Sequence, residues 1–398
     1  MANVNKPLIV IFTAIGLDAV GIGLVFPILP RLLADVTHTT HVATYIGIIT
    51  TLYALMQFVF APLLGVLSDN IGRRPVLLIS LAGAAINYFV MAFAPALWML
   101  FVGRALAGVS GANIAVATAY ITDISPEDKR VKRFGYFSAM FGIGFIIGPV
   151  LGGLLGDYWV RLPFIAAGVL NAANFLLALF VLPESRTPAS AKVDLASLNP
   201  FAPLRWVFKI PGLLSIVLTF FFLNATGEAY GTCWALWGFD VFGWNGFWIG
   251  LSLGTVGLFH TVTQMFLPGP ATKFLGERKV VLVGIAFCVI GTIAMAFAKH
   301  GWVVFAMLPL FGLGDMGIPA LQALATRRVD SGRQGELQGV LASATSMASI
   351  IAPLGFTTFY FMVQKSWPGA VWLSVVVVYL IAVPLVFIST RNTRAGNS

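Results

Sequence analysis

Apolar residues run through this chain in twelve long blocks, at about 8–34, 42–67, 75–94, 97–121, 134–156, 162–183, 210–236, 245–268, 280–298, 302–325, 335–361 and 369–389, and polar residues gather in the joints between them. A helix needs roughly 20 apolar residues, rising about 1.5 Å each, to cross a hydrocarbon core of about 30 Å. The blocks have that length and none alternates with period two, which excludes a transmembrane barrel. The pattern predicts an all-α membrane protein of twelve transmembrane helices. The first block exceeds the apolar core of a signal peptide, contains Asp18 and lacks a small-residue cleavage site, so it reads as the first membrane helix.

Composition sharpens this picture. The 398 residues are 59% hydrophobic and only 10% charged, with a mean hydropathy of +0.92. So few charges could not coat soluble domains. The two cysteines, Cys233 and Cys288, lie in apolar blocks, which excludes a disulfide scaffold. The net charge of +9 raises the question of nucleic acid, and the positions of the bases answer it. With the N-terminus in the cytoplasm, nineteen of the 24 Lys and Arg fall in the joints on that side. Only Arg31, Arg161, Lys299 and Lys365 fall on the other, and Arg104 lies within a block. This bias places both termini in the cytoplasm and makes the bases partners of anionic lipid rather than of nucleic acid.

One joint is long. Residues 184–209, rich in Pro and Ser, read as a cytoplasmic linker between a six-helix half at 1–183 and another at 210–398. Gly65, Asp69, Gly72 and Arg74 close the second block with the spacing that Gly269, Lys273, Gly276 and Arg278 repeat after the eighth, 204 positions later. A repeat at half the chain length points to two related halves around a central binding cavity, a transporter layout. Asp69 between two glycines suggests a gate in which it accepts amides from a helix end of the opposite half. Arg73 and Arg74 would pair acids or lipid phosphate.

Four charges lie inside blocks well away from their ends, where charge is costly and faces a partner or a cavity. Asp18 is about ten residues, or roughly 15 Å, into its helix, a place for a proton or cation site or for a carboxylate bonded to nearby backbone. Arg104 stays charged and must be paired or hydrated. Glu228 stands among small residues, Gly227, Ala229 and Gly231, that permit close approach or local unwinding. Asp315, in a glycine-broken stretch, could serve a cationic substrate or cap the broken helix. His260 and Gln264 lie one turn apart on one face. The glycines of Gly142–Gly153 follow no strand, so they are no dinucleotide loop and instead let helices approach. No P-loop, metal-ligand spacing or nucleophile elbow is present; the chain reads as no enzyme, with no cofactor and no metal site.

At these residues the chain resembles the major facilitator superfamily, and within it the proton-coupled drug antiporters of the tetracycline-efflux type. The resemblance rests on the Gly65–Pro75 loop, on Gly103–Gly108, and on the fifth-block antiporter motif with Gly144, Gly148, Pro149 and Gly152. It rests also on Leu17–Gly23 with Pro27 and Pro30, on Tyr53–Gln57, on His260 with Gln264, and on Pro319–Gln322. It implies that Arg104 helps to set the proton relay; Asp18, Glu228 and Asp315, read from their own positions, join it as the charges that would couple protons to substrate. Tyr53, Gln57, Asn87, Asn113, His260, Gln264, Cys288 and Gln322 would line the cavity, in the inner membrane of a bacterium. The tetracycline exporters carry an Asp in the third helix and another in the ninth, and the matching positions here are Asn87 and Cys288. The expected function is therefore export of an amphiphilic, tetracycline-type or broader drug in exchange for protons by alternating access. Proton-coupled uptake of a nutrient is the alternative.

Overall fold

The computed structural model describes residues 5–39, 41–185, 207, 210, 212–330 and 333–391. Most of the 184–209 linker, with Arg186, Lys192, Arg205 and Lys209, lies outside them, as does Arg394. The apolar blocks fold as helices: α1 (Asn5–Thr37), α2 (Ala43–Ile71), α3 (Arg73–Ala92), α4 (Leu97–Gly111), α5 (Ile114–Asp123), α6 (Glu127–Tyr158) and α7 (Leu162–Val181). After the linker come α8 (Leu213–Phe242), α9 (Gly246–Phe266), α10 (Pro268–Leu275), α11 (Glu277–Ala296), α12 (Gly301–Gly314), α13 (Gly317–Thr326), α14 (Gln334–Val363) and α15 (Ala370–Arg391). Eleven spans among the described residues are long and apolar enough to cross a membrane. The eighth block, α9, has the length at 21 residues but is diluted by His260, Thr261, Thr263 and Gln264. Several helices overrun their blocks, α6 by a turn and more at its start, because polar residues continue a helix once it has left the hydrocarbon. The short α10 was not legible in the apolar pattern.

Two blocks contain two helices each. The fourth span breaks between Gly111 and Ile114, and the tenth between Gly314 and Gly317. The paired helices start and stop at offsets of 203–204 positions. The loop repeat is likewise a repeat of shape: Gly72 (φ 100°, ψ 158°) joins α2 to α3 as Gly276 (φ 77°, ψ 153°) joins α10 to α11. A side chain at that positive φ would be strained, so the turn demands glycine.

The chain forms two compact units. The first comprises Met1–Tyr45, Leu52–Pro200 and Asn245–Gly254, and the second Ile46–Thr51, Phe201–Trp244 and Thr255–Ser398, so α2 and α9 contribute to both. In the first unit α1 lies along α6 and α7, and α3 along α4 and α7. Val10, Ile11 and Ile15 pack with Val76, Leu77 and Leu81, and with Val116, Tyr120 and Ile121. Since lipid tails are as apolar as these side chains, helix association in a membrane depends on close packing. The antiporter-motif glycines provide it. A Cβ on Gly148 would stand 3.1 Å from the Gly23 Cα and the Leu24 nitrogen, and one on Gly144 2.8 Å from the Ala19 Cβ. At the end of α6 the Asp157 carboxylate accepts the Gly246 and Phe247 amides, each at 2.8 Å, and pairs with Arg31. An acid at the start of α9 meets both the unbonded amides and the positive end of the helix dipole.

In the second unit α8 packs on α14 and α15, and α11 on α12, α13 and α15. Its core is aromatic: Tyr230 stacks on Trp372 with ring centroids 5.4 Å apart, while Trp234 and Trp237 meet Trp372 edge-on.

Candidate functional site

In the first unit the break between α4 and α5 faces Asp18 of α1. Asn113, in the break, donates through Nδ2 to Asp18 Oδ2 at 3.4 Å. Gln57 of α2 donates to the Gly111 carbonyl at 3.2 Å. The Arg104 guanidinium lies 4.6 Å from the centre of the Tyr53 ring, and its buried Nε finds no hydrogen-bond partner among the described residues. The Tyr88 hydroxyl sits against Gly21, one turn from Asp18, within electrostatic range of Asp18, Arg104 and Tyr53. The unit thus brings Asp18, Tyr53, Gln57, Arg104 and Asn113 together and adds Tyr88, which the sequence reading missed; nothing in its surroundings of Asn87 and Phe89 marks it. Asn87 is buried, with its Oδ1 lacking a partner among the described residues.

In the second unit the break between α12 and α13 carries Asp315. Its carboxylate meets His260 Nδ1 at 2.6 Å, and its carbonyl accepts from Gln264 Nε2 at 3.0 Å. His260 and Asp315 are both partly open to solvent. Cys288 lies directly beneath Gly314, the residue before Asp315. Glu228 accepts from the Ser349 hydroxyl at 2.5 Å. Helix α8 runs unbroken through Glu228, so the small residues there do not unwind it. A Cβ on Gly227 would meet only open space. Gln322 stands two turns beyond the break and pairs instead with Gln338 at 3.1 Å. A further acid in α8, Asp240, was overlooked because it sits at the helix end; Tyr360 donates to it at 2.5 Å.

The Gly65–Arg74 loop is held by groups the sequence did not disclose. Asp69 pairs with Arg73 at 2.8 Å. Arg73 also bonds Asp123 at 3.2 Å and Ser68 at 2.5 Å. Glu184 accepts the Arg73 amide at 2.8 Å and the Arg74 amide at 3.1 Å, capping α3 from 110 residues away. Arg74 reaches the Leu179 carbonyl at 2.8 Å. Gly65 has open space around it. In the second unit Glu277, just after Gly276, pairs with Arg327 at 2.5 Å. Glu184→Ala leaves two amides of α3 uncapped, and is expected to cost about 1–2 kcal/mol. Thermal denaturation in detergent checks this; an unchanged midpoint would show that the cap carries no weight.

The sequence profile of the Major Facilitator Superfamily matches residues 11–259 and 235–398. The class C tetracycline resistance protein of Escherichia coli is 44% identical over 380 residues, covering 96% of each chain. The class G tetracycline resistance protein of Vibrio anguillarum is 44% identical over 377 residues, covering 95% of this chain and 96% of its own. Among solved structures, a bacterial homologue of the human lysosomal transporter Spinster shares the fold with a TM-score of 0.83 at 14% identity, over 98% of both chains.

Proposed function

The chain belongs to the major facilitator superfamily, and from that premise we propose that it is a multi-pass membrane transporter exporting a tetracycline-type amphiphilic drug in exchange for protons by alternating access. It is a carrier, not an enzyme. The halves 1–183 and 210–398, joined by 184–209, are the bodies that alternate, and Asp69, Arg73 and Arg74 belong to their cytoplasmic gate. Orientation in the bacterial inner membrane, with both termini cytoplasmic, rests on the basic joints.

The observation that carries this reading is a titratable side chain held at each helix break. An amide such as Asn113 can follow the protonation of Asp18: its Nδ2 donates to the carboxylate, and its Oδ1 can accept from the acid. At the other break His260 donates through Nδ1 to the Asp315 carboxylate, and its ring gains or loses a second proton at Nε2. Each break thereby senses one proton. Arg104 and Glu228 are the remaining coupling charges, and Tyr53, Asn87, Cys288 and Gln322 line the drug's path. The direct test is to add tetracycline to the purified protein in weak buffer: protons should be released as the drug binds. Binding without release would defeat proton exchange.

Asn87 and Cys288 in place of acids set the substrate. With those carboxylates gone, a magnesium-chelated drug loses two of its charge partners, although Asp315 stands next to Cys288. Magnesium is expected to change tetracycline affinity by less than about twofold, whereas Asn87→Asp with Cys288→Asp should confer a gain of roughly tenfold. Titration with and without magnesium reads this out. Strong magnesium dependence in the unaltered protein would overturn it.

A further inference from the structure

The two breaks share a feature that proton exchange does not require. In the first unit a glutamine of α2 donates to a carbonyl at the break, and in the second a glutamine of α9 does the same. The acceptors, Gly111 and Asp315, are 204 positions apart, the offset of the loop repeat. The donors, Gln57 and Gln264, come from the second span of each half and differ in register by less than a turn. Interrupting a helix removes the amides that its carbonyls would otherwise meet. Where a break is packed against neighbouring helices rather than open to a cavity, no bulk water replaces them. Among the described residues the Asp315 carbonyl meets the Ile318 amide at a long 3.3 Å, and Gln264 comes closer at 3.0 Å. Within two residues of each braced carbonyl stands the side chain that meets a proton-carrying group: Asn113 facing Asp18, and Asp315 facing His260.

We propose that Gln57 and Gln264 are positioning residues rather than drug contacts. Each fixes the break in its unit and so sets how Asn113 and Asp315 are presented to Asp18 and His260. The proposal rests on the proton-exchange reading above, and its test separates the two. Cys288, beneath Gly314, reports on the second break; Cys233, buried in α8, is the chain's other cysteine and serves as internal control. Gln264→Met removes the donor and keeps the length. Maleimide labelling of Cys288 should accelerate at least about fivefold as the break opens locally, with Cys233 unchanged. Tetracycline affinity should stay within about twofold while protons released per bound drug fall by about fivefold or more. Gln57→Met should give the same division between affinity and proton release, with Cys288 labelling unaltered. If both cysteines become reactive in Gln264→Met the variant has unfolded, and Gln264→Leu, which also lacks the donor and adds no titratable group, is measured against the same outcomes. Weakened tetracycline binding with unchanged Cys288 labelling and unchanged proton release would overturn the proposal and make the amides drug contacts. Absence of proton release from the unaltered protein would defeat proton exchange, while the Cys288 labelling would still decide the brace.

Discussion

Asp18→Asn is expected to cut export driven by a pH gradient by at least about a hundredfold, the order of loss when a proton-transferring side chain is removed. The protein should still insert and fold. Asparagine has nearly the shape of aspartate and can accept the Asn113 amide that Asp18 accepts, so the contact between α1 and the break survives. What it lacks is an exchangeable proton. Its amide presents one fixed set of donors and acceptors, and the break no longer has two states to sense. Drug binding can then persist without drug-driven proton release, leaving a binder that does not transport. Proteoliposomes with an imposed pH gradient measure this directly. Undiminished export at normal expression would remove Asp18 from the mechanism.

Gly148→Val attacks the scaffold instead. Its Cβ would come within 3.1 Å of the Gly23 Cα and the Leu24 nitrogen, and neither can move as a side-chain tip can. Helices α1 and α6 would have to separate over the stretch where Gly144 and Gly152 also bring them together. Overpacking of this kind costs about 1–3 kcal/mol, and the midpoint of thermal unfolding should fall by roughly 5 °C, with lower accumulation in the membrane. Gly135→Ala, in the same helix with nothing near its Cβ position, is the control and should be neutral or stabilising. A variant as stable as that control would mean that α1 and α6 are not in such close contact.

The spans, the loop repeat and the small-residue helix contact were legible in the sequence because each has a local signature: apolar length, fixed spacing, a run of glycines. Asp18 and Asp315 were legible for a related reason, as acids where the surrounding residues forbid ordinary ones. What brings them partners was not. Glu184 caps α3 across more than a hundred residues, and no feature of Pro183-Glu184-Ser185 announces it. Asp123 and Ser68 reach Arg73 only through the packing of separate helices. Asp315 was readable as a helix cap or as a functional acid; its backbone amide closes α12, and its carboxylate meets His260. The glycines around Glu228 mark open space beside an intact helix, a meaning that sequence cannot distinguish from unwinding. Long-range side-chain contacts carry no periodicity, and so leave no trace in one chain read alone.

The matching breaks also bear on descent. Two six-helix segments that interrupt their fourth helix at equivalent positions, and turn on equivalent glycines, are what tandem duplication of one ancestral gene leaves behind. Copies begin alike, so every difference between the breaks was acquired afterwards. One copy keeps an amide in its break and draws the acid from its first helix; the other holds the acid in the break and draws an imidazole from its second. The inherited part is the interruption itself, and the titratable chemistry is the part that diverged. A homologue that changes drug or ion should therefore differ first at the positions of Asn113, Asp315 and His260, and only later at Gly72, Gly276 or the breaks that display them.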